Sequence, residues 1–122
     1  MDRFFFAAGA LLGCIGVAAG AFGAHALETR LASDRLQLFE LAARYQMIHA
    51  LALIAAAWAA QRWPSALVHA GGWLLLVGVL IFCGTIYALA FGAPRMLGAV
   101  TPIGGLSLIV GWLLLAAAAI RH

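Results

Sequence analysis

The sequence predicts an all-α integral membrane protein, a four-transmembrane-helix bundle, and its composition and length carry this prediction. Of the 122 residues, 66% are hydrophobic and only 9% are charged, and the mean hydropathy is +1.08. So short a chain cannot hide that much apolar surface in a soluble core. A helix that crosses a bilayer needs about 20 largely apolar residues, and four such stretches fill most of the chain. We therefore expect one membrane domain over residues 1–122.

The four spans are predicted at about residues 4–26, 41–60, 66–91 and 102–120. Gln61, Arg62 and Pro64 interrupt the apolar sequence between the second and third spans, and Gly92 and Pro94 do so after the third. Because the first of these breaks is very short, the second and third spans should form an antiparallel hairpin. Both termini then lie on one side of the membrane. Arginines divide three to four between the two sides, so the positive-inside rule leaves the orientation open.

Two helix starts carry recognisable signals. Ser33 is predicted to cap the second helix, and Leu38, Leu41 and Ile48 then recur at helical spacing. The second helix should therefore begin outside the hydrocarbon as an amphipathic extension. Thr101 is predicted to cap the fourth helix, with Pro102 in the first helical position, where its missing N–H costs nothing.

Five glycines follow a 4,3,4,3 spacing along the first span, and they are Gly9, Gly13, Gly16, Gly20 and Gly23. This spacing places them on one stripe of the helix, where another backbone can approach closely. The stripe could pack inside the bundle or against another copy of the chain. We favour packing inside the bundle, with the remaining faces available for a homo-oligomer contact.

Polar side chains are expected to gather in the leaflet opposite the termini, where spans one and three end and spans two and four begin. This candidate polar cluster comprises His25, Arg44, Tyr45, Gln46, His49, Thr85, Tyr87 and Thr101. Polar residues within a membrane are costly and are therefore candidate functional residues. They also serve as hydrogen-bond partners between helices, which is the interpretation that we favour here.

Several function classes have little support in the sequence. His25 and His49 could ligate a haem between helices, but two histidines in a bundle are a weak signal. A metal site would require further ligands close to them. Proton-coupled export requires a carboxylate within a span, yet beyond Asp2 no Asp or Glu lies in the first, third or fourth span. No nucleophile and base stand at a convincing spacing. We predict no enzyme activity, no cofactor and no metal site.

The basic residues do not indicate a nucleic-acid partner. All seven are arginines, and they are spread singly along the chain rather than clustered. The predicted partners are the lipid bilayer and other copies of the chain, and the sequence identifies no other protein partner.

Four motifs carry a resemblance to a known family. They are residues 20–27 (GAFGAHAL), residues 45–53 (YQMIHALAL), residues 82–87 (FCGTIY) and residues 97–105 (LGAVTPIGG), the last followed by Gly111 and Trp112. Together they resemble the domain of unknown function 423 family, whose animal relatives are called transmembrane protein 256. The resemblance covers essentially the whole chain and implies a small multi-span membrane protein without an assigned activity. It also implies that Ser is common in relatives where this chain has Cys83, which disfavours a thiolate ligand there.

We therefore expect a structural or accessory protein, oligomeric and located in the bacterial inner membrane. A channel or transporter for a small solute is the alternative, and a haem- or metal-binding membrane protein is a weaker one.

Overall fold

The computed structural model describes residues 2–122. Four helices in this range are long and apolar enough to cross a membrane: Asp2–Leu27, Ser33–Arg62, Ala66–Ala90 and Arg95–Arg121. We call them span 1 to span 4. The predicted all-α class with four transmembrane helices is confirmed.

Span 1 is not a uniform α-helix. It runs as an α-helix over Asp2–Val17, widens into a π-helix over Ala18–Gly23, and returns to an α-helix over Ala24–Leu27. The Ala24 N–H donates to the Ala19 carbonyl, five residues back, as expected of π-helical geometry. The glycine spacing alone did not predict this change of pitch.

Span 2 is the longest helix of the bundle. Its 30 residues extend over about 45 Å, whereas the hydrocarbon core is about 30 Å thick. The helix is therefore about 15 Å longer than a crossing along the bilayer normal requires. The predicted cap at Ser33 was wrong, because Ala32 occupies the N-cap position in an extended conformation and no side chain bonds to the helix start.

Span 4 begins with a 3₁₀-helix over Arg95–Ala99, followed by an α-helix over Thr101–Arg121. The predicted cap at Thr101 was wrong, because Val100 occupies the N-cap position and no side chain caps the helix. The preceding turn already continues into the helix, since the Val100 N–H donates to the Leu97 carbonyl and the Ile103 N–H to the Val100 carbonyl. The Thr101 hydroxyl instead lies 2.6 Å from the Thr85 hydroxyl of span 3.

The spans pack in chain order: span 1 against span 2, span 2 against span 3, and span 3 against span 4. Spans 2 and 3 form the interior, with Leu53, Val68, Leu75 and Val79 almost fully buried. Spans 1 and 4 lie on the outside and bury far less of their surface. Their outer faces are apolar, as lipid contact requires.

The ends of span 3 are well defined. At its start the Ser65 hydroxyl accepts a hydrogen bond of 3.3 Å from the Val68 N–H, which is a typical N-cap. At its end Gly92 adopts a φ of +97°, a left-handed conformation that favours glycine. The Arg35 guanidinium, from the extension of span 2, donates to the Leu89 carbonyl at 3.1 Å. This bond ties the extension to the last turn of span 3.

Candidate functional site

Gln46 is the centre of a hydrogen-bond network that joins three spans. Its Nε2 donates to the Leu12 carbonyl of span 1 at 2.9 Å, and its Oε1 accepts from the Tyr87 hydroxyl of span 3 at 2.7 Å. Because a carbonyl can only accept, the Leu12 bond fixes the orientation of the amide. Gln46 is 3% exposed, so both bonds lie in the packed interior between the helices.

His49 uses both ring nitrogens within the bundle. Its Nε2 accepts from the Trp112 indole N–H of span 4 at 3.1 Å, and its Nδ1 lies 2.8 Å from the Tyr45 carbonyl. An indole N–H only donates and a carbonyl only accepts, so we assign the neutral tautomer that carries its proton on Nδ1. In this arrangement neither nitrogen has a lone pair available for a metal or haem iron.

Thr85 and Thr101 form the third polar contact, between spans 3 and 4. Their hydroxyl oxygens lie 2.6 Å apart. The Thr85 hydroxyl also lies 2.8 Å from the Ile81 carbonyl, which can only accept. The Thr101 hydroxyl lies 3.4 Å from the Leu97 carbonyl, so each hydroxyl has a carbonyl acceptor within reach and either can donate to the other.

Of the remaining members of the candidate polar cluster, His25 and Arg44 lie outside these contacts, whereas Tyr45 adjoins His49. The side chain of His25 is 84% exposed and lies 4.0 Å from a Glu28 carboxylate oxygen, so it does not share a site with His49. Arg44 is also exposed. Tyr45 is 36% exposed, and its ring stacks on His49 and lies against Phe82. The eight predicted residues thus form three separate contacts and an exposed remainder, rather than one convergent site.

The buried polar groups are satisfied by the protein itself. Over residues 2–122, every buried side-chain nitrogen or oxygen has a hydrogen-bond partner, and no group of three or more His, Cys, Asp or Glu could hold a metal ion. Beside the Gln46 network lies a groove of about 160 Å³, lined by Gln46, Tyr87, Cys83, Gly84 and apolar side chains of spans 1 and 3. Apolar residues dominate its lining.

The glycine stripe of span 1 faces span 2. An ideal Cβ on Gly9 would lie 2.6 Å from the Ala50 carbonyl oxygen, and one on Gly16 would lie 2.6 Å from the Met47 sulfur. A Cβ on Gly23 would lie 3.0 Å from the Phe39 ring, whereas those on Gly13 and Gly20 would make ordinary contacts of 3.8 and 3.9 Å. A larger residue at Gly9 would therefore meet the backbone of span 2, whereas at Gly16 and Gly23 it would displace the side chains of Met47 and Phe39.

Glycines also set the contact between spans 3 and 4. A Cβ on Gly71 would lie 3.1 Å from the Gly111 carbonyl, and one on Gly111 equally far from the Gly71 carbonyl. At Gly104 the clash would be with backbone, since a Cβ there would lie 2.5 Å from the Phe82 nitrogen. These two helices therefore approach closely along most of their length.

Sequence reasoning missed several side chains that make polar contacts. Trp112 is not among the residues of the candidate polar cluster, although it is the hydrogen-bond partner of His49. Ser107 donates to the Leu74 carbonyl at 2.8 Å and so joins spans 3 and 4. Both hydrogen bonds could have been anticipated from the residue types, because an indole N–H or a hydroxyl within a membrane requires an acceptor. Arg35 carried no comparable signal, because its carbonyl partner depends on the tertiary packing.

Comparisons with known proteins agree with this architecture. The family model described as "Protein of unknown function (DUF423)" matches residues 19–105. A UPF0382 membrane protein of Staphylococcus haemolyticus is 45% identical over 113 residues, which cover 93% of this chain and 92% of the relative. The UPF0382 membrane protein YwdK of Bacillus subtilis is 35% identical over 121 residues, covering 98% of each chain.

A third relative, the UPF0382 inner membrane protein YgdD of Escherichia coli, is 37% identical over 120 residues, covering 98% of this chain and 92% of the relative. No solved structure matches the chain. The relatives' names confirm the predicted location in the bacterial inner membrane. The chain therefore belongs to the DUF423 family, the UPF0382 membrane proteins, whose biochemical role is unknown.

Proposed function

We propose that this protein is a structural or accessory component of the membrane, that it is not an enzyme, and that it works as a homo-oligomer with no nucleic-acid partner. The Gln46 network is the observation that carries this proposal. One buried amide bonds the backbone of span 1 and the hydroxyl of span 3 from a position on span 2. Both ends of the amide are satisfied by the protein, which is the arrangement expected of interhelical hydrogen bonds that hold a bundle together.

The alternative, a channel or transporter, is less well supported. A pathway for a polar solute requires polar groups that face a hydrated cavity. Here the polar groups of Gln46, His49 and Thr85 are engaged with other protein groups.

A paired measurement of stability and flux distinguishes these two functions. The variants Gln46→Leu and His49→Leu should unfold more readily in detergent, because each leaves partner groups unsatisfied in an apolar environment. Vesicles that contain the wild-type protein should be no more permeable to water, glycerol or protons than empty vesicles. Flux through the wild type that either variant abolishes without loss of stability would support the channel instead.

The homo-oligomer is supported by a second row of small residues on span 1. Ala7, Ala10, Cys14, Ala18 and Ala21 are all exposed. Three of them, Ala10, Cys14 and Ala18, follow at four-residue intervals, a spacing that favours close helix contact in lipid. This row is distinct from the glycine stripe, which span 2 covers.

Cys14 itself offers a test of this contact. Mild oxidation of native membranes should produce a disulfide-linked dimer through Cys14, which is exposed, and the variant Cys14→Ser should abolish it. Cys83 is buried, so the variant Cys83→Ser should leave the dimer unchanged and serves as the control. If oxidation yields only monomer, this face of span 1 is not the oligomer contact.

A further inference from the structure

Outside the Gln46 network, a groove lies between the start of span 1 and the end of span 2. It has a volume of about 350 Å³ and opens at the end of the bundle where the two termini lie. Its walls are apolar and include Phe6, Ile54 and Trp58, whereas Asp2, Arg3 and Gln61 stand at its mouth. Phe6 and Trp58 are 54% and 56% exposed. The groove thus combines a charged entrance with an apolar, accessible interior.

The lining of the groove changes from polar to apolar with depth, as a bilayer leaflet does. Phe6 lies three residues beyond Arg3, and Trp58 three before Gln61, so each stands about 4.5 Å deeper than its charged or polar neighbour. Ile54 lies seven residues before Gln61, about 10 Å deeper. A ligand that fills the groove must therefore place a polar group at the interface and an apolar chain below it.

The residues at the mouth of the groove indicate which polar group a bound ligand would carry. The Asp2 carboxylate accepts from Gln61 Nε2 at 2.6 Å and from the Arg3 backbone N–H at 2.9 Å. The Arg3 side chain is exposed. A guanidinium presents a planar fork of N–H donors that matches the oxygens of a phosphate.

The net charge at the end of the bundle where the groove opens also favours an anionic group. It carries Arg3, Arg62 and Arg121 against Asp2, so that its side chains sum to three minus one, or +2. The opposite side carries four arginines against three acids, or +1. The side on which the groove opens is therefore the more attractive one for an anionic group.

We infer that this groove binds one phospholipid, whose phosphate accepts hydrogen bonds from Arg3 and whose acyl chain lies along Phe6, Ile54 and Trp58. The inference does not depend on the proposed structural role. It assigns a lipid-binding site at the junction of spans 1 and 2, where Gln61 and Asp2 already join the two helices. A phospholipid can form polar contacts at the charged entrance and apolar contacts with the walls, whereas a purely apolar ligand could contact only the walls.

Quenching of Trp58 fluorescence tests this site. The purified full chain, in a non-ionic detergent, is titrated with phosphatidylglycerol brominated on its acyl chains and, separately, with diacylglycerol brominated in the same way. The phospholipid should reach half-maximal quenching at about tenfold lower concentration, the difference expected for a hydrogen bond to a charged group. The variant Trp58→Phe identifies the part of the signal that comes from Trp58.

Charge variants complete the experiment. Arg3→Gln should remove the tenfold difference between the two lipids, and Arg3→Lys should keep part of it. Arg121→Gln, on the same side of the membrane but outside the groove, should leave the difference intact. Equal quenching by both lipids in the wild type would overturn the inference and indicate an apolar occupant, such as a second copy of the chain. If Arg3→Gln and Arg121→Gln reduced the difference between the two lipids equally, the inference would also be overturned, because the effect would then come from overall charge.

Discussion

The indole N–H of Trp112 donates to His49 Nε2 at 3.1 Å and so joins span 4 to span 2. These two helices otherwise make few contacts, since span 4 packs chiefly against span 3. The bond, together with the edge contact of the two rings, therefore adds a direct link between span 4 and span 2 to the packing of span 4 on span 3.

A double-mutant cycle on this pair measures its contribution. The variants Trp112→Phe and His49→Leu should each lower the free energy of unfolding in mixed micelles, and the double variant should lose less than the sum of the two. We expect a coupling energy of about 1 kcal/mol, in the range found for hydrogen bonds between membrane helices. Additive losses would mean that the two residues stabilise the fold independently.

The hydroxyl of Tyr87 provides a second measurement. The variant Tyr87→Phe leaves Gln46 Oε1 without its donor and should destabilise the protein by about 1–3 kcal/mol, the cost of an unsatisfied buried group. Tyr45→Phe is a matched control, because Tyr45 is partly exposed and its ring packing would be kept. Thermal unfolding in detergent should separate the two variants. Equal stabilities would contradict the central role of the Gln46 network.

Two glycines at matched depth on neighbouring helices test the close packing of spans 3 and 4. At Gly104 a Cβ would lie 2.5 Å from the Phe82 nitrogen, whereas at Gly84 it would meet nothing within 4 Å. Gly104→Ala should therefore lower the midpoint of thermal unfolding. Gly84→Ala should leave it unchanged or raise it, because alanine has the higher helix propensity. The reverse order would show that the two helices are farther apart than described.

The Arg35 bond predicts a local effect on the extension of span 2. The variant Arg35→Gln removes the donor to the Leu89 carbonyl and should speed amide hydrogen exchange in residues 33–40 and 88–93, while the centre of the bundle stays protected. Arg30→Gln, in the preceding loop, serves as the control and should not change exchange in these segments. Faster exchange throughout the bundle would assign Arg35 a role in global stability instead.

The sequence was sufficient to predict the fold class because hydropathy and span length are set by the bilayer itself. It predicted the helix starts less well: Ser33 and Thr101 both fall one residue inside their helices. Their residue types suit capping, yet the conformation of the preceding residue decides the cap. At Thr101 the 3₁₀-helix before it could not be read from the apolar pattern.

The candidate site was predicted only in part. Five of the eight predicted residues, Gln46, His49, Thr85, Tyr87 and Thr101, make polar contacts between helices. Which of them pair depends on helix rotation, which one sequence does not encode directly. His25 illustrates this limit, since it is close in sequence to the end of span 1 but its side chain lies outside the packed helices.

The packing of the spans in chain order has a consequence for biogenesis. Neighbouring spans along the chain form the main packing contacts, so most of the bundle can assemble in the order of synthesis. The His49–Trp112 bond joins two spans that are not neighbours in the chain, and it can form only after the fourth helix has entered the membrane. Formation of this bond therefore marks the point at which the newly made chain is complete as a bundle.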